Sequence, residues 1–183
     1  EAARLNRFEP LMTKALAGDV VPREWEDSYG RCLLHGLRHL QAGCGLMDVL
    51  RGAGVPVVAT RGPFFGAGLY GDVGLRHFTD IDLLVPRELR DRALEIAQQA
   101  GFKLRRPEIP LWFYRRHHLH WPLERAEDGV LCDLHWAVDH PYRRLSIDYG
   151  AVFRDARERS CDGFTWSEPS PRHQFLLAVA HLS

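Results

Sequence analysis

ATRGPFFGAGLYGDVGLRHFTDIDLLV, residues 59–85, decides how this chain is read. Its last six residues, Asp80-Ile81-Asp82-Leu83-Leu84-Val85, have the composition of a buried strand that carries two acids. Side chains alternate across a strand, so Asp80, Asp82 and Leu84 take one face and Ile81, Leu83 and Val85 the other. The two acidic Cβ atoms then stand roughly 6.6 Å apart, within reach of one divalent ion or of a close pair. Two like charges beside an apolar run need a cation or hydrogen-bond donors to offset their repulsion and desolvation. Taken alone, the pair also fits a strand mouth where acids cap neighbouring backbone or bind arginines.

Upstream, the short apolar strand 55–59 runs into Arg61-Gly62, and Gly66, Gly68, Gly71 and Gly74 fill the connection to the acids. Glycines allow close backbone approach to phosphate, and they also occur in any irregular loop. A second acid within an apolar strand appears at Asp133. Alternation over 130–136 puts Val130, Cys132, Leu134 and Trp136 on one face and Leu131, Asp133 and His135 on the other. A lone buried acid is usually a structural group. Beside a paired-acid strand in the same sheet, it is what a three-carboxylate metal site requires.

These pieces together resemble the nucleotidyltransferase superfamily of the DNA polymerase β type, and within it a bacterial branch of uncharacterised nucleotidyltransferases. The resemblance is carried by Thr60-Arg61-Gly62, by Arg76 through Val85, and by Cys132-Asp133-Leu134-His135-Trp136, and it spans roughly residues 30–182. It implies an α/β (α+β) nucleotidyltransferase fold, a small twisted mixed sheet flanked by helices. It implies Asp80, Asp82 and Asp133 as catalytic metal ligands for Mg²⁺ (or Mn²⁺), with Arg61, Gly62 and Arg76 against the nucleotide phosphates. Arg116, His118 and His135 are further candidates for contacts to phosphate or acceptor. The implied reaction moves a nucleoside monophosphate from a nucleoside triphosphate, with ATP the expected donor, to a hydroxyl of a small molecule, peptide or protein. Some members of the branch are encoded beside peptide and natural-product biosynthesis enzymes, which points to a biosynthetic role. Two departures stand out: Arg61 replaces the more usual Lys, and Pro63 takes the Ser position and removes a backbone N–H. They keep open a catalytically weak nucleotide- or partner-binding domain of the same fold. A toxin-like enzyme acting on RNA or protein is a third reading, which a continuous basic surface around Arg115, Arg116, Arg143 and Arg144 would favour.

The 183 residues suffice for one domain with a sizeable core, and 24 basic against 24 acidic residues leave no net charge to attract nucleic acid. Nucleic acid and membrane are therefore not expected partners. Four scattered cysteines without a CxxC pattern fit reduced thiols in a cytoplasmic protein. The expected organisation is an N-terminal helical segment (1–54), a catalytic core (55–140) and a C-terminal helical segment (141–183) read as truncated.

Apolar residues at helical spacing, among them Leu5, Phe8, Leu11 and Leu16, predict a first helix ending at Gly18. Leu33, Leu37, Leu40, Cys44 and Met47 predict a long amphipathic helix over 25–51, weakened by Gly43 and Gly45. His35 and His39, four apart on it, read as surface histidines rather than a metal pair. A helix opens at Pro86 and closes at Gly101, and a strand starts at Phe102. Residues 111–121 read as a β-prone run with Trp112, Tyr114, Arg116, His118 and His120 on one face. A zinc site from His118 and His120 with Cys132 or His135 matches no standard structural spacing. Glu127-Asp128-Gly129 signals a hairpin turn, Tyr142-Arg143-Arg144 a solvated basic loop, and 147–157 a short helix. Residues 164–166 read as an extended piece, and a final helix opens at Pro171 with a stripe of Phe175, Leu176, Val179 and Leu182.

Overall fold

The computed structural model describes residues 8–16, 21–138 and 147–182. Leu5, Gly18 and the Tyr142-Arg143-Arg144 cluster lie outside the described residues. The helices are α1 (Glu9–Ala15), α2 (Arg23–Gly52), α3 (Pro63–Tyr70), α4 (Arg90–Gln99), α5 (Leu111–His117), α6 (Tyr149–Arg154) and α7 (Pro171–Leu182). The strands are β1 (Val58–Ala59), β2 (Ile81–Leu84), β3 (Phe102–Leu104), β4 (His120–Arg125), β5 (Leu131–His135), β6 (Arg157–Cys161) and β7 (Phe164–Glu168). Five of the strands form one sheet in the order β1-β2-β5-β4-β3, and β6 and β7 pair as a separate hairpin. Only β2 and β5 run parallel; the other pairs of the large sheet are antiparallel, so the sheet is mixed as expected.

Register gives the sheet two unlike faces. Ile81, Leu83, Trp121, Leu123, Cys132 and Leu134 point to one side and are buried with Leu40, Met47 and Leu50 of α2 and Ala93, Leu94 and Ala97 of α4. The opposite face carries Asp82, Asp133, His120 and His135, beside Val58 and Leu84. There Val152 of α6 and Leu177 of α7 cover Val58 and Leu84 in a small second cluster. The C-terminal helices therefore cover the apolar end of this face.

Helix α2 opens after Pro22 with Glu24 and Glu26 in its first turn, and ends where Gly54 takes a positive φ of 78°. Two of its interior glycines, Gly43 and Gly45, differ. Gly45 faces open space, whereas a Cβ on Gly43 would lie 2.6 Å from the ring of Phe64 on α3. Gly43 is thus a contact point between helices, as is Gly36 against Val73, whereas Gly45 and Gly30 face open space.

Several expectations are overturned. The glycine-rich connection after Arg61 is mostly helix: α3 occupies it, followed by a 3₁₀ turn at Val73–Leu75. The run 111–121 is not one strand. Pro110 starts α5, Phe113 and Tyr114 stack on His117 and His118 one turn later (ring centroids 4.7 and 5.0 Å apart), and the strand begins only at His120. The run is a block of aromatics, 112–114, followed by a block of basic residues, 115–118, and so marks neither period over the other. Tyr114 is buried while Trp112 and Arg116 are exposed, so they share no face. Among the described side chains of α7 (171–180) the buried ones are His173, Leu177 and Ala180, while Phe175 (69 % exposed) and Val179 face outward; the Leu182 side chain lies outside the described ones. The extended piece at 164–166 is β7, and its partner β6 follows a helix, α6, shorter than expected.

His39 is not a surface residue either. It is 2 % exposed, its Nδ1 donates to the His35 carbonyl at 2.8 Å, and both rings pack on Phe78 (5.0 and 5.3 Å). Burial holds His39 neutral, its pKa lowered to about 4. The unfolded chain therefore binds more protons between about pH 6.5 and 4, and stability falls with acid across that window. Urea unfolding at pH 7.0 and 5.0 is expected to show this loss, and His39→Gln to reduce its slope. In the same assay Gly45→Ala should stabilise by about 0.5–1 kcal/mol, and Gly43→Ala should destabilise by about 1–3 kcal/mol through overlap with Phe64.

Candidate active site

The parallel pairing of β2 and β5 sets Asp82 directly opposite Asp133. Alternation then puts Leu84 opposite His135 on the same face, and antiparallel β4 adds His120 opposite His135. Asp80 lies one residue before the start of β2, half-buried in a bend, with Thr79 donating to its Oδ1 at 3.2 Å. It is therefore at the mouth of the strand rather than within it, which leaves its carboxylate freer to move than that of Asp82.

Asp82 is the most tightly held of the acids. Its side chain is 5 % exposed, and its Oδ1 accepts from Arg61 Nη2 at 3.2 Å and His135 Nε2 at 3.0 Å. The Asp82 carbonyl accepts from the backbone and hydroxyl of Thr60 at 2.9 and 3.2 Å, which fixes the Arg61 segment against β2. Burial alone would push the Asp82 carboxyl up, but the hydrogen bond and charge of His135, with Arg61, outweigh it and hold the carboxyl below its ordinary value. Asp133 goes the other way. Burial and the nearby charges of Asp80 and Asp82 push it up to about 6, against the opposing pull of His135. His120 Nε2 lies 3.6 Å from its Oδ2, and His120 is itself held neutral, its pKa lowered to about 4 by burial and by the other histidines. Two neighbouring carboxyls driven in opposite directions are a pattern that acid–base sites use.

Gly62 connects the basic residue to the acids. It has φ 72°, in the left-handed region, and a Cβ there would fall 2.3 Å from the Asp80 carbonyl oxygen. Backbone passes so close to backbone that a side chain cannot fit. Pro63 then occupies the first turn of α3. Arg76 returns to the same place: its Nη1 donates to the Gly62 carbonyl at 3.4 Å and its guanidinium lies 5.8 Å from the Phe65 ring centre.

Arg61, Arg76, Asp82 and His135 line one cleft of about 180 Å³, together with Thr60, Phe65, Val138 and three α7 residues, Gln174, Leu177 and Ala178. Arg76 also borders a second cavity, on the side of Ser28, Arg31, Cys32, His35 and His77. Of the expected site residues, Arg61, Arg76, Asp82 and His135 line this cleft; Asp133 lies opposite Asp82 on the next strand, and Gly62 and Asp80 meet at the mouth of β2, outside the cleft lining. Arg116 is exposed on α5 and does not line the cleft, and Arg115 is tied to Asp91 at 3.0 Å. His118 is one step out, its ring 5.9 Å from that of His120. Cys132 faces the buried side of the sheet, which removes it from the zinc alternative. His120 enters the sequence reading only through the zinc alternative; the hairpin register is what sets it opposite His135. The contributions of α7 carry no sequence signal.

The donor set suits a divalent cation. Asp82 and Asp133 present carboxylates on adjacent strands, Asp80 a third at the mouth, and the charge repulsion felt at Asp133 is what a bound cation would relieve.

Residues 6–183 match the family model described as "Uncharacterised nucleotidyltransferase", and the chain belongs to that family. No curated protein matches the sequence. Nine chains of solved structures match. One is a crystal structure of ANT(2")-Ia in complex with adenylyl-2"-tobramycin, with 18 % identity and a TM-score of 0.43. That match covers 68 % of this chain and 65 % of the other, so this chain spans less than two thirds of that protein's length.

Replacing Gly62 tests the backbone contact. Gly62→Ala is expected to destabilise the protein by at least about 1–3 kcal/mol through strain at positive φ and overlap with Asp80. Thermal unfolding measures it, and an unchanged melting temperature would mean that the turn has no such contact.

Proposed function

We propose that this chain transfers a nucleoside monophosphate from a nucleoside triphosphate, with ATP the expected donor, to a hydroxyl of a small molecule, peptide or protein, with a divalent cation such as Mg²⁺. The observation that carries the reading is the register pairing of Asp82 with Asp133 beside a cleft walled by Arg61 and Arg76. Asp80, Asp82 and Asp133 would hold the cations; when bound, these neutralise phosphate charge and lower the pKa of the attacking hydroxyl.

The remaining work falls to the chain's own side chains. Arg61 and Arg76 face the phosphates, with the Gly62 backbone allowing close approach. The cleft is smaller than the ~300–1,000 Å³ usual for small-molecule sites, so it holds part of the donor and leaves the rest over the open face. The acceptor oxygen attacks the α-phosphorus, the bond from that phosphorus to the bridging oxygen breaks, and pyrophosphate leaves. Asp133 takes the hydroxyl proton. Family membership supports this chemistry, and the biosynthetic setting implied by the resemblance is the context we favour.

A second reading, a weakly active or inactive nucleotide-binding domain, is supported by one contact. Arg61 occupies Asp82 at 3.2 Å, so a cation must displace a guanidinium from its ligand, and Pro63 presents no N–H to phosphate. Calorimetric titration of each nucleoside triphosphate with Mg²⁺ separates these readings from a purely structural role. Binding of one nucleotide, lost in the Asp80→Ala/Asp82→Ala double variant, is expected. A folded protein that binds none would overturn both. Pyrophosphate release that falls about 100-fold or more in Asp133→Asn, with nucleotide binding retained, would select the enzyme.

A further inference from the structure

The donors around Asp133 are not those of an all-oxygen magnesium site. His120, Asp133 and His135 each offer one ligand atom, and the three atoms lie within 4.8 Å of one another. We propose that these three residues bind one first-row transition cation of the Mn²⁺ to Zn²⁺ series in preference to Mg²⁺. The position is the one the transfer reading gives to Asp133. The inference deepens that reading by naming the ion class, although the site itself is argued from its donors alone.

Geometry comes first. Ligands about 2.1 Å from a shared ion stand about 3.0–3.4 Å apart. His120 Nε2 and Asp133 Oδ2 are already 3.6 Å apart, and the His120 and His135 rings are 4.9 Å apart between centroids. Small side-chain rotations therefore close the set. The backbone has already done the larger part, because opposition of His120 and His135 across β4 and β5 fixes two donors, and Asp133 follows two residues away on the same face.

The state of His135 supports the same assignment. Its Nε2 lies 3.0 Å from Asp82 Oδ1, and its Nδ1 is buried with no hydrogen-bond partner among the described residues. A buried ring nitrogen without a partner costs free energy unless something binds it. A carboxylate that orients a histidine through its second nitrogen is the outer-shell arrangement of metal-binding imidazoles. Asp82 therefore acts on this ion through His135 as a positioning residue. Imidazole nitrogens are borderline donors that favour Mn²⁺ through Zn²⁺, whereas Mg²⁺ takes oxygen ligands and keeps its waters. Three protein donors also leave coordination positions open to an oxygen of water or substrate.

Cobalt reports such a site without turnover. Co²⁺ titrated into the metal-stripped full chain, with no nucleotide present, should give a saturable visible absorption band at one equivalent. Zn²⁺ should displace it, and a large excess of Mg²⁺ should not. His120→Gln and His135→Gln should each weaken Co²⁺ binding by about ten-fold or more, whereas Asp80→Asn should leave the band in place. His120 is the decisive position, since it does not carry the buried bond to Asp82; circular dichroism checks the fold of both variants. Absence of a band, its displacement by Mg²⁺ at similar concentration, its persistence in His120→Gln, or its loss in Asp80→Asn would each overturn the assignment. Nucleotide binding without a Co²⁺ band would overturn this inference alone, and a Co²⁺ band without nucleotide binding would overturn the transfer reading alone.

Discussion

The parallel pairing of β2 with β5 is the constraint from which the rest of the molecule follows. A strand buries one face or the other, and shifting it by a single residue exchanges them. Here Ile81, Leu83, Cys132 and Leu134 are fully buried against α2 and α4, so the register cannot move without exposing the core. That apolar lock holds two carboxylates side by side on the opposite face, where their charges would otherwise drive them apart. The cost is met locally: Arg61 and His135 neutralise Asp82, and Asp133 holds a proton more readily than a free carboxyl does.

The apolar cores of the strands carried most of what could be read in advance. Side-chain alternation along 81–85 and 130–136 put Asp82 and Asp133 on faces that the sheet register brings together, and the punctuation at Pro86, Gly101 and Gly129 marked the elements between them. The mixed sheet flanked by helices followed from those elements and the resemblance. Where the reading failed, local pattern was ambiguous or long-range packing decided. Residues 111–117 mark neither the strand nor the helix period over the other, and Pro110 with the packing of Tyr114 chose the helix. On α7 the apolar residues outnumber what the core accepts, so composition could not say that Leu177 and Ala180, rather than Phe175 and Val179, turn inward.

The site was legible in its acids and much less so in its partners. A carboxylate in an apolar strand is conspicuous because burying charge is costly. Histidine carries no such signal: it is as ordinary in a buried helix, as His39 shows, as beside a carboxylate, as His135 shows. Only the hairpin register brings His120 to His135, and only the sheet order brings both beside Asp82. The residues of α7 that close the cleft come from the far end of the chain, joined by packing on Val58 and Leu84 that no local pattern encodes.

The β4–β5 hairpin has a consequence for the order in which the site assembles. Its turn is tied by Arg125, which grips Asp128 through two bonds of 2.9 and 2.7 Å, and by the Val130 amide on the same carboxylate. Within that short loop the hairpin brings together His120, Asp133 and His135, and so completes three donors from local structure. The bond from His135 to Asp82 spans 53 residues, across α4, β3 and α5. Closing a short loop costs less chain entropy than closing a long one, and local contacts form faster. The histidine-rich half of the site is therefore available to a nascent chain as soon as the hairpin zips. The aspartate on β2 arrives when the crossover docks, the step that sets the hairpin's face against the cleft.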